Sequence, residues 1–481
     1  MAKTIFKSSE KSNFILNMTE EQYGKLASVG LVAACFTTSL FTILPTVSDT
    51  ATYTFSAAGL AVSGVICMIL ALIALVKKYI SRRIMLPAAA FGAMLLWSVV
   101  SMIFSYDFNV SFYGFPQRGE GIMALIYYFS FFITAASIKR SKSVSVLITG
   151  VIGIGLLNSI WSLIQIFADK LSYFAYLKIS PYINTPAASG LAQSPIFLAM
   201  LLSLSLTAAS ADCILTESKK RRIFDIFCIC LFSFVLIFTR TIMGAFGVAF
   251  GIAAMIITAI KGKVSKKRLL SVLVIVLSAI AAFIIGATIK SGAKDGYKFY
   301  DGYILWSDDA FQRIGSSGIY NTNRVDIEDP LDVYSYLNGE TLKIIKKYPI
   351  TGTGPEQLVY PQIYTRGDFA EDAPVSDFAA LNAGTFDKVY NEYLYTAATR
   401  GIPSLIALLT VIVSVLLIVR RKNKGIYSQI DLTTGLLTIC GTLAFFIGCS
   451  NITFSPIFWA CAGAACTELN ESSKNISKKK K

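Results

Sequence analysis

The stretch FSAAGLAVSGVICMILALIALV, from Phe55 to Val76, contains no charged side chain and is followed directly by Lys77-Lys78. A helix of about 20 apolar residues is long enough to cross the roughly 30 Å hydrocarbon core of a bilayer. Lys and Arg in short loops collect on the cytoplasmic side of a membrane. The stretch therefore predicts a membrane-spanning helix that ends at the cytoplasmic surface.

The rest of the chain repeats this pattern. Hydrophobic residues make up 54% of the 481 residues, aromatic residues 12%, and the mean hydropathy is +0.60. These values exceed what a soluble globular chain tolerates. We predict an all-α polytopic membrane protein with about twelve transmembrane helices. The expected spans are Ala27 to Thr46, Phe55 to Val76, Ile84 to Phe104, Gly121 to Ile138, Ser145 to Phe167, Gly190 to Ala211, Ile223 to Thr239, Ile242 to Ile260, Leu269 to Ile289, Ile402 to Val419, Thr433 to Cys449 and Ile452 to Cys466.

Basic residues agree with this count. With both termini in the cytoplasm, 29 of the 44 Lys and Arg residues fall on the inside and 15 on the outside. Eleven of those 15 belong to one long loop between spans nine and ten, which is free to face outward whatever its charge. The predicted organisation is a cytoplasmic tail at 1–26, nine spans at 27–289, an extracytoplasmic loop domain at 290–401, three spans at 402–468 and a basic cytoplasmic tail at 469–481.

The net charge of +15 follows from this topology, because basic loops adjoin anionic headgroups. We therefore expect membrane lipids as neighbours and no nucleic acid as a partner. All nine cysteines lie in or beside the spans, so neither an outer disulfide framework nor a thiolate zinc site is expected. The acidic residues of 326–332 lack the glycine turn of an EF-hand, so no metal site is predicted there.

Chemistry is expected at the outer face. The long loop carries 16 of the 29 acidic residues. Its segment Tyr334 to Lys347 has apolar residues on one helical face, which predicts an amphipathic helix near the membrane surface. A second helix is predicted from Phe386 to Arg400, with Asp387 as its N-cap and an apolar face that leads into span ten.

Two outer arginines, Arg118 before span four and Arg240 in the turn between spans seven and eight, stand out. A guanidinium group at so short a turn is expected to point at a partner, and its planar fork suits bidentate phosphate binding. The alternatives are interfacial snorkelling or a structural pair of Arg118 with Glu120. Gln193, in the Gln-Ser-Pro sequence that opens span six, is expected to line the same cavity.

Four segments together resemble the O-antigen ligase and O-antigen polymerase superfamily. They are Tyr113 to Gly121, Phe238 to Gly247, Lys346 to Glu356 with its Pro-x-x-Gly-x-Gly-Pro motif, and Asp387 to Leu394 with Asn-Glu-Tyr-Leu. The resemblance covers the architecture of nearly the whole chain.

The resemblance implies a membrane glycosyltransferase at the outer face of a bacterial plasma membrane. Such an enzyme moves a preassembled glycan from a polyprenyl diphosphate carrier to a glycan, lipid or protein acceptor and requires no cofactor or metal. Arg118 and Arg240 would hold the diphosphate, favouring its departure, and the long loop would cap the cavity and present the acceptor.

The chain departs from the family at the acceptor side. Family ligases carry a His-Asn pair in the outer loop, and the corresponding pair here is Tyr390-Asn391, in a chain without histidine. A tyrosine with a pKa near 10 is a poor base at neutral pH. Three interpretations remain open: Asp387 or Glu392 takes the proton, leaving-group stabilisation suffices without a base, or the protein is a weakly active or non-catalytic partner in envelope assembly.

A polysaccharide or lipid transporter is the alternative from a different class. Transporter folds usually show matched halves with interrupted helices at corresponding positions. This chain shows no internal repeat, and its large insertion divides the expected spans into nine and three. Both observations count against the transporter.

Overall fold

The computed structural model describes residues 17–41, 55–115, 118–167, 188–192, 194–262, scattered positions of 273–284, 305–307, 330–364, 384–386, 388–422 and 428–469. Within these ranges the chain is helical apart from one antiparallel ribbon of two three-residue strands. The helices are α1 Glu20–Phe41, α2 Phe55–Val76, α3 Met85–Ile103, α4 Phe108–Tyr113, α5 Ile122–Ala136, α6 Ser141–Phe167, α7 Pro195–Leu215, α8 Lys219–Phe238, α9 Ile242–Lys261, α10 Pro330–Lys347, α11 Val359–Tyr364, α12 Glu392–Lys422, α13 Ser428–Ala444 and α14 Ser455–Ala465, and the strands are β1 Leu305–Ser307 and β2 Gly384–Phe386.

Seven of the described helices are long and apolar enough to cross a membrane: α1, α2, α3, α6, α7, α9 and α12. Helices α5 and α14 are apolar but have only 15 and 11 residues. The helix predicted from Phe55 to Val76 has those bounds in the structure. The ninth expected span, Leu269 to Ile289, falls largely outside the described residues.

Helices α5, α7 and α14 form the interior of the bundle. Helix α7 packs against α6, α8, α9 and α13, and α5 packs against α2, α3 and α14. Every residue of α14 is buried. By contrast, α2 and α3 expose large apolar side chains, such as Leu72 at 58% and Leu96 at 72%. An apolar outer surface around a packed interior is the arrangement expected of helices that contact lipid.

The two ends of the bundle differ in their charged contacts. One end carries ion pairs between short basic loops and helix ends, such as Lys139–Glu20 at 2.6 Å and Arg83–Glu468 at 2.7 Å. Helix α12 finishes at this end, with Lys422 3.6 Å from Asp431. The unbroken part of α12, residues 402–422, extends for about 30 Å at 1.5 Å per residue. The Glu392 N–H donates to the Phe445 carbonyl at 2.8 Å, directly after the last residue of α13. The start of α12 at Glu392 therefore lies at the opposite end.

Helix α12 is broken at Gly401, which has φ 79° and ψ 165°. Two residues later, Pro403 has no N–H to donate to the carbonyl of Thr399, four residues before it. Instead, the Thr399 carbonyl accepts from the Gly354 N–H at 2.9 Å and from the Ser101 hydroxyl at 3.0 Å. The break thus leaves backbone groups that other segments satisfy.

The Pro349 to Pro355 turn supplies the partners at this break. The Thr353 N–H donates to the Ala398 carbonyl at 3.0 Å, and the Pro349 carbonyl accepts from Ile402 at 2.9 Å. A Cβ on Gly352 would lie 2.4 Å from the Thr399 carbonyl carbon. Gly352 is therefore explained by close backbone approach to α12, whereas a Cβ on Gly354 would lie 2.3 Å from the Cβ of Ser105.

Two predictions about the long loop have definite outcomes. The amphipathic helix exists as α10, and its apolar residues Leu337 and Ile344 are buried in the protein core. The helix predicted from Phe386 to Arg400 is present from Glu392 onward as the first part of α12. Its predicted start at Phe386 with an Asp387 cap is wrong, because Phe386 belongs to β2. The true cap is Asn391, whose Oδ1 accepts from the N–H groups of Tyr393 and Leu394, both at 3.1 Å.

Candidate functional site

Residues from four distant parts of the sequence meet in a buried cluster at the end of the bundle where α12 starts. The loop before α5 contributes Arg118 and Glu120, the glycine turn contributes Glu356, and the segment before α12 contributes Lys388. The loop between α13 and α14 contributes Ser450. We call this set, together with Glu392, Tyr395 and Arg400 of α12, the charged cluster.

Lys388 is the centre of the charged cluster. Its Nζ donates to Glu120 Oε2 and, at 2.9 Å, to the Ser450 carbonyl, and it lies 3.4 Å from Glu356 Oε1. Nζ also lies 5.1 Å from the centre of the Tyr395 ring. Burial opposes the charge of Lys388, but the carboxylates of Glu120 and Glu356 outweigh it and raise the pKa of the ammonium group. Lys388 therefore stays charged although its side chain is only 5% exposed.

Glu120 is fully engaged in hydrogen bonds. Its Oε1 accepts from the hydroxyls of Tyr128 and Ser450, both at 3.1 Å, and its Oε2 accepts from Lys388. Burial raises the pKa of Glu120 to about 7, because the attraction of Lys388 offsets only part of the desolvation and Glu356 repels the second negative charge. Glu120 is thus the member of the cluster whose charge changes near neutral pH.

Glu356 lies beside two cations and has an unusual backbone. Its φ is 62°, in the left-handed region. Its Oε1 accepts from the Tyr395 hydroxyl at 2.6 Å. Burial alone would raise the pKa of Glu356, but Lys388 and then Arg118 outweigh it and hold the pKa below its usual value. Its Oε2 is buried and accepts no hydrogen bond from any described residue.

Glu392, one of the proton acceptors proposed from the sequence, is held in structural contacts. Its Oε1 accepts from Arg400 Nη2 at 2.8 Å and from the Thr396 hydroxyl at 3.1 Å. Its Oε2 accepts from the Ser450 N–H at 2.7 Å. Oε1 thus fixes the side chain within α12, and Oε2 ties α12 to the loop between α13 and α14.

A small cavity lies inside the cluster. It is lined by Glu120, Leu125, Tyr128, Pro355, Glu356, Lys388, Tyr395, Thr399, Arg400 and Ser450. Its free space is enough for about one water molecule. The cluster as it stands can accommodate a single hydroxyl-sized group.

The two arginines singled out in the sequence differ in their surroundings. Arg118 is 7% exposed, and its charge acts on both Glu356 and Lys388. Glu120, the alternative partner of Arg118, forms its ion pair with Lys388. Arg240 is half-buried with φ 51°, in the turn between α8 and α9. The hydroxyl of Thr241 fixes that turn by accepting from the Gly244 N–H at 3.0 Å.

The remaining predicted site residues separate into two groups. Tyr390 is buried, and its ring lies 5.8 Å from that of Tyr334, while Asn391 uses its side-chain oxygen to cap α12. Asn391 therefore fixes the start of α12, while Tyr390 packs against α10. Asp387 and Gln193 lie outside the described residues.

Sequence reasoning did not single out Lys388, Glu356 or Ser450. The first two lie inside the motif segments that carry the family resemblance, and each is a charged residue next to a hydrophobic one or a proline, as in Lys388-Val389 and Pro355-Glu356. Neither context by itself indicates a buried charge, because Lys and Glu are rarely buried unless paired and the partners of Lys388 lie far from it in the sequence. Ser450 gave no comparable indication.

Comparison with known proteins gives no relative: the sequence matches no model of a protein family and no curated protein.

Proposed function

We propose that this protein is a membrane glycosyltransferase, a ligase or polymerase, that transfers a preassembled glycan from a polyprenyl diphosphate to an acceptor during assembly of a cell-surface polysaccharide. The observation that carries the proposal is the meeting of Arg118, Glu356 and Lys388 at one end of the bundle. Each comes from a different segment of the family resemblance. If these segments form one binding site, they must lie together in the structure. Segments that resemble the family only by chance need not.

The proposal includes a topology of twelve spans in a bacterial plasma membrane, with the long loop outside. Basic residues support this orientation, because the end with Lys139, Arg83 and Lys422 carries the short basic loops. The charged cluster then faces outward. The exposed aromatic residues near it, Phe108 at 58% and Tyr113 at 45%, suit the membrane–water interface.

In this mechanism Arg118 and Arg240 hold the diphosphate of the donor. A guanidinium group binds phosphate oxygens in a bidentate manner. Negative charge develops on the leaving oxygen as the glycan departs, and fixed cations stabilise that charge. The reaction inverts the anomeric carbon, because the acceptor hydroxyl attacks from the side opposite the leaving diphosphate.

The experiment replaces Arg118 and Arg240 separately by Ala and by Lys in the cells that produce the protein. We expect less surface polysaccharide and an accumulation of lipid-linked glycan in both Ala variants. The Lys variants should keep part of the activity, because they retain the charge but lose the fork. Arg82→Ala is the matched control, since Arg82 is exposed at the opposite end. Normal polysaccharide with both Ala variants, at wild-type protein levels in the membrane, would refute the assignment.

A non-catalytic role in envelope assembly is the second candidate. It is favoured by the absence of histidine and by a cluster whose three cations, Arg118, Lys388 and Arg400, are matched by three carboxylates. This role predicts that a loss of polysaccharide in the variants follows only from loss of the protein itself. Accumulated donor beside a normal amount of variant protein decides for the enzyme.

A further inference from the structure

The charged cluster contains one carboxylate oxygen that its surroundings do not satisfy. Both oxygens of Glu120 and both of Glu392 accept hydrogen bonds. Glu356 Oε2 is buried and accepts no hydrogen bond from the part of the chain that the structure describes. The whole Glu356 side chain is only 1% exposed. Buried polar atoms nearly always have partners, so an exception needs a physical explanation.

The position of Glu356 supplies that explanation. The residue lines the cavity that has room for about one water molecule, together with Lys388 and Ser450. Its other oxygen, Oε1, is fixed by the Tyr395 hydroxyl at 2.6 Å. The turn that carries it is fixed too, since Gly354 donates its N–H to the Thr399 carbonyl. The carboxylate is therefore held rigidly, with one oxygen left to accept a proton donor that enters the cavity.

We propose that Glu356 accepts the proton of the acceptor hydroxyl through Oε2, in place of the histidine that this chain lacks. This inference rests on the proposed glycosyl transfer. The acceptor oxygen forms a bond to the anomeric carbon of the donor glycan, and the bond from that carbon to the phosphate oxygen breaks. Its electron pair leaves with the polyprenyl diphosphate. The hydroxyl proton moves to Glu356 and afterwards to water.

Arg118 couples this step to donor binding. In the structure Lys388 and Arg118 stabilise the ionised form of Glu356, which makes it a weak base. A diphosphate bound to Arg118 neutralises that cation and places negative charge nearby, so the proton affinity of Glu356 rises. Glu120, the other carboxylate close to Lys388, adds to the repulsion. The donor therefore activates the base that the acceptor needs, and the donor is expected to bind first.

The experiment compares purified wild-type protein with Glu356→Gln, Glu356→Asp and the control Glu340→Gln. Glu340 forms an ion pair with Lys343 in α10, 3.0 Å apart, and is no part of the cluster. Binding of polyprenyl diphosphate alone is measured first. Single-turnover transfer is then measured with lipid-linked glycan extracted from the producing cells.

We expect Glu356→Gln to bind polyprenyl diphosphate at least as tightly as the wild type, because the ionised Glu356 carboxylate repels the diphosphate. We expect it to transfer glycan about 100-fold more slowly or worse, the usual effect of a lost general base. Glu356→Asp should recover part of the rate, because it keeps a carboxylate. Glu340→Gln should behave as the wild type in both assays.

Two results overturn the inference alone: transfer by Glu356→Gln within tenfold of the wild type, or equal losses in Glu356→Gln and Glu356→Asp accompanied by lower melting temperatures, which indicate a structural role. A wild-type protein that neither binds polyprenyl diphosphate nor transfers glycan refutes the proposed function, and the inference with it. The wild-type arm therefore separates the two failures.

Discussion

Replacing Lys388 by Met tests the electrostatic account of the charged cluster. The substitution keeps most of the side-chain volume and removes the positive charge between Glu120 and Glu356. Removing one partner of a buried ion pair costs about 3–5 kcal/mol, because the remaining charge is left uncompensated. Here two carboxylates lose their shared cation.

Protonation sets an upper limit on this cost. The pKa of Glu120 is already about 7, and without Lys388 it rises further. Glu120 therefore takes up a proton in the variant at neutral pH, so we expect about 3 kcal/mol at pH 7 rather than the upper end of the range. Keeping that proton becomes harder above pH 7, by about 1.4 kcal/mol per pH unit. The deficit of the variant should therefore grow with pH.

The assay is denaturant-induced unfolding in mixed micelles, followed by tryptophan fluorescence, at pH 7 and pH 8. The double variant Lys388→Met with Glu120→Gln is the control, because it removes the orphaned carboxylate as well. It should regain about 2 kcal/mol at pH 8. The account is refuted if Lys388→Met loses less than about 1 kcal/mol, or if its deficit does not depend on pH.

Three further predictions concern single residues. Gly401→Ala should destabilise the protein by about 3 kcal/mol or more through left-handed strain and a clash with the Ile350 carbonyl oxygen, which a new Cβ would approach to 1.9 Å. The control Gly339→Ala lies in open space on α10 and should be neutral or stabilising by up to about 1 kcal/mol. Equal losses of unfolding free energy in the two variants would contradict this. The folded-state pKa of Glu120, about 7, exceeds its ordinary value of 4.5, so its protonated form stabilises the fold at low pH and that contribution is lost as pH rises from about 5 through 7. The melting temperature of the wild type relative to Glu120→Gln should fall over this range, and a constant difference would show that Glu120 does not titrate. Asn391→Ala should cost about 1 kcal/mol through loss of the α12 cap, whereas Asn391→Asp should be close to neutral in the same unfolding assay.

The sequence predicted the helices well where apolar length alone defines them. Phe55 to Val76 has its predicted bounds in the structure, and α9 differs from its predicted span by one residue. It predicted the start of α12 wrongly, because Asp387 and Asn391 are both good N-caps and only the path of the chain through β2 selects Asn391. Local propensity cannot decide between two equally suitable caps.

The candidate site was predictable only in part. The sequence indicated Arg118 from its place at a short turn, and the structure puts that charge beside Glu356. It also indicated Glu392, which the structure places in an ion pair with Arg400. Helical periodicity did not indicate this pair, because neighbouring side chains on a helix are three or four positions apart and these two residues are eight positions apart. They meet in a buried part of α12.

The sequence by itself determined that this chain is built from apolar helices, since the length and hydrophobicity of each stretch are properties of the stretch alone. Its basic residues likewise predict which loops share a side. Only the tertiary structure decided that Lys388 shares its charge between Glu120 and Glu356, which lie 268 and 32 positions away in the sequence. A pairing of buried charges depends on which loops the packed helices bring together, because desolvation and Coulomb attraction act through space and not along the chain.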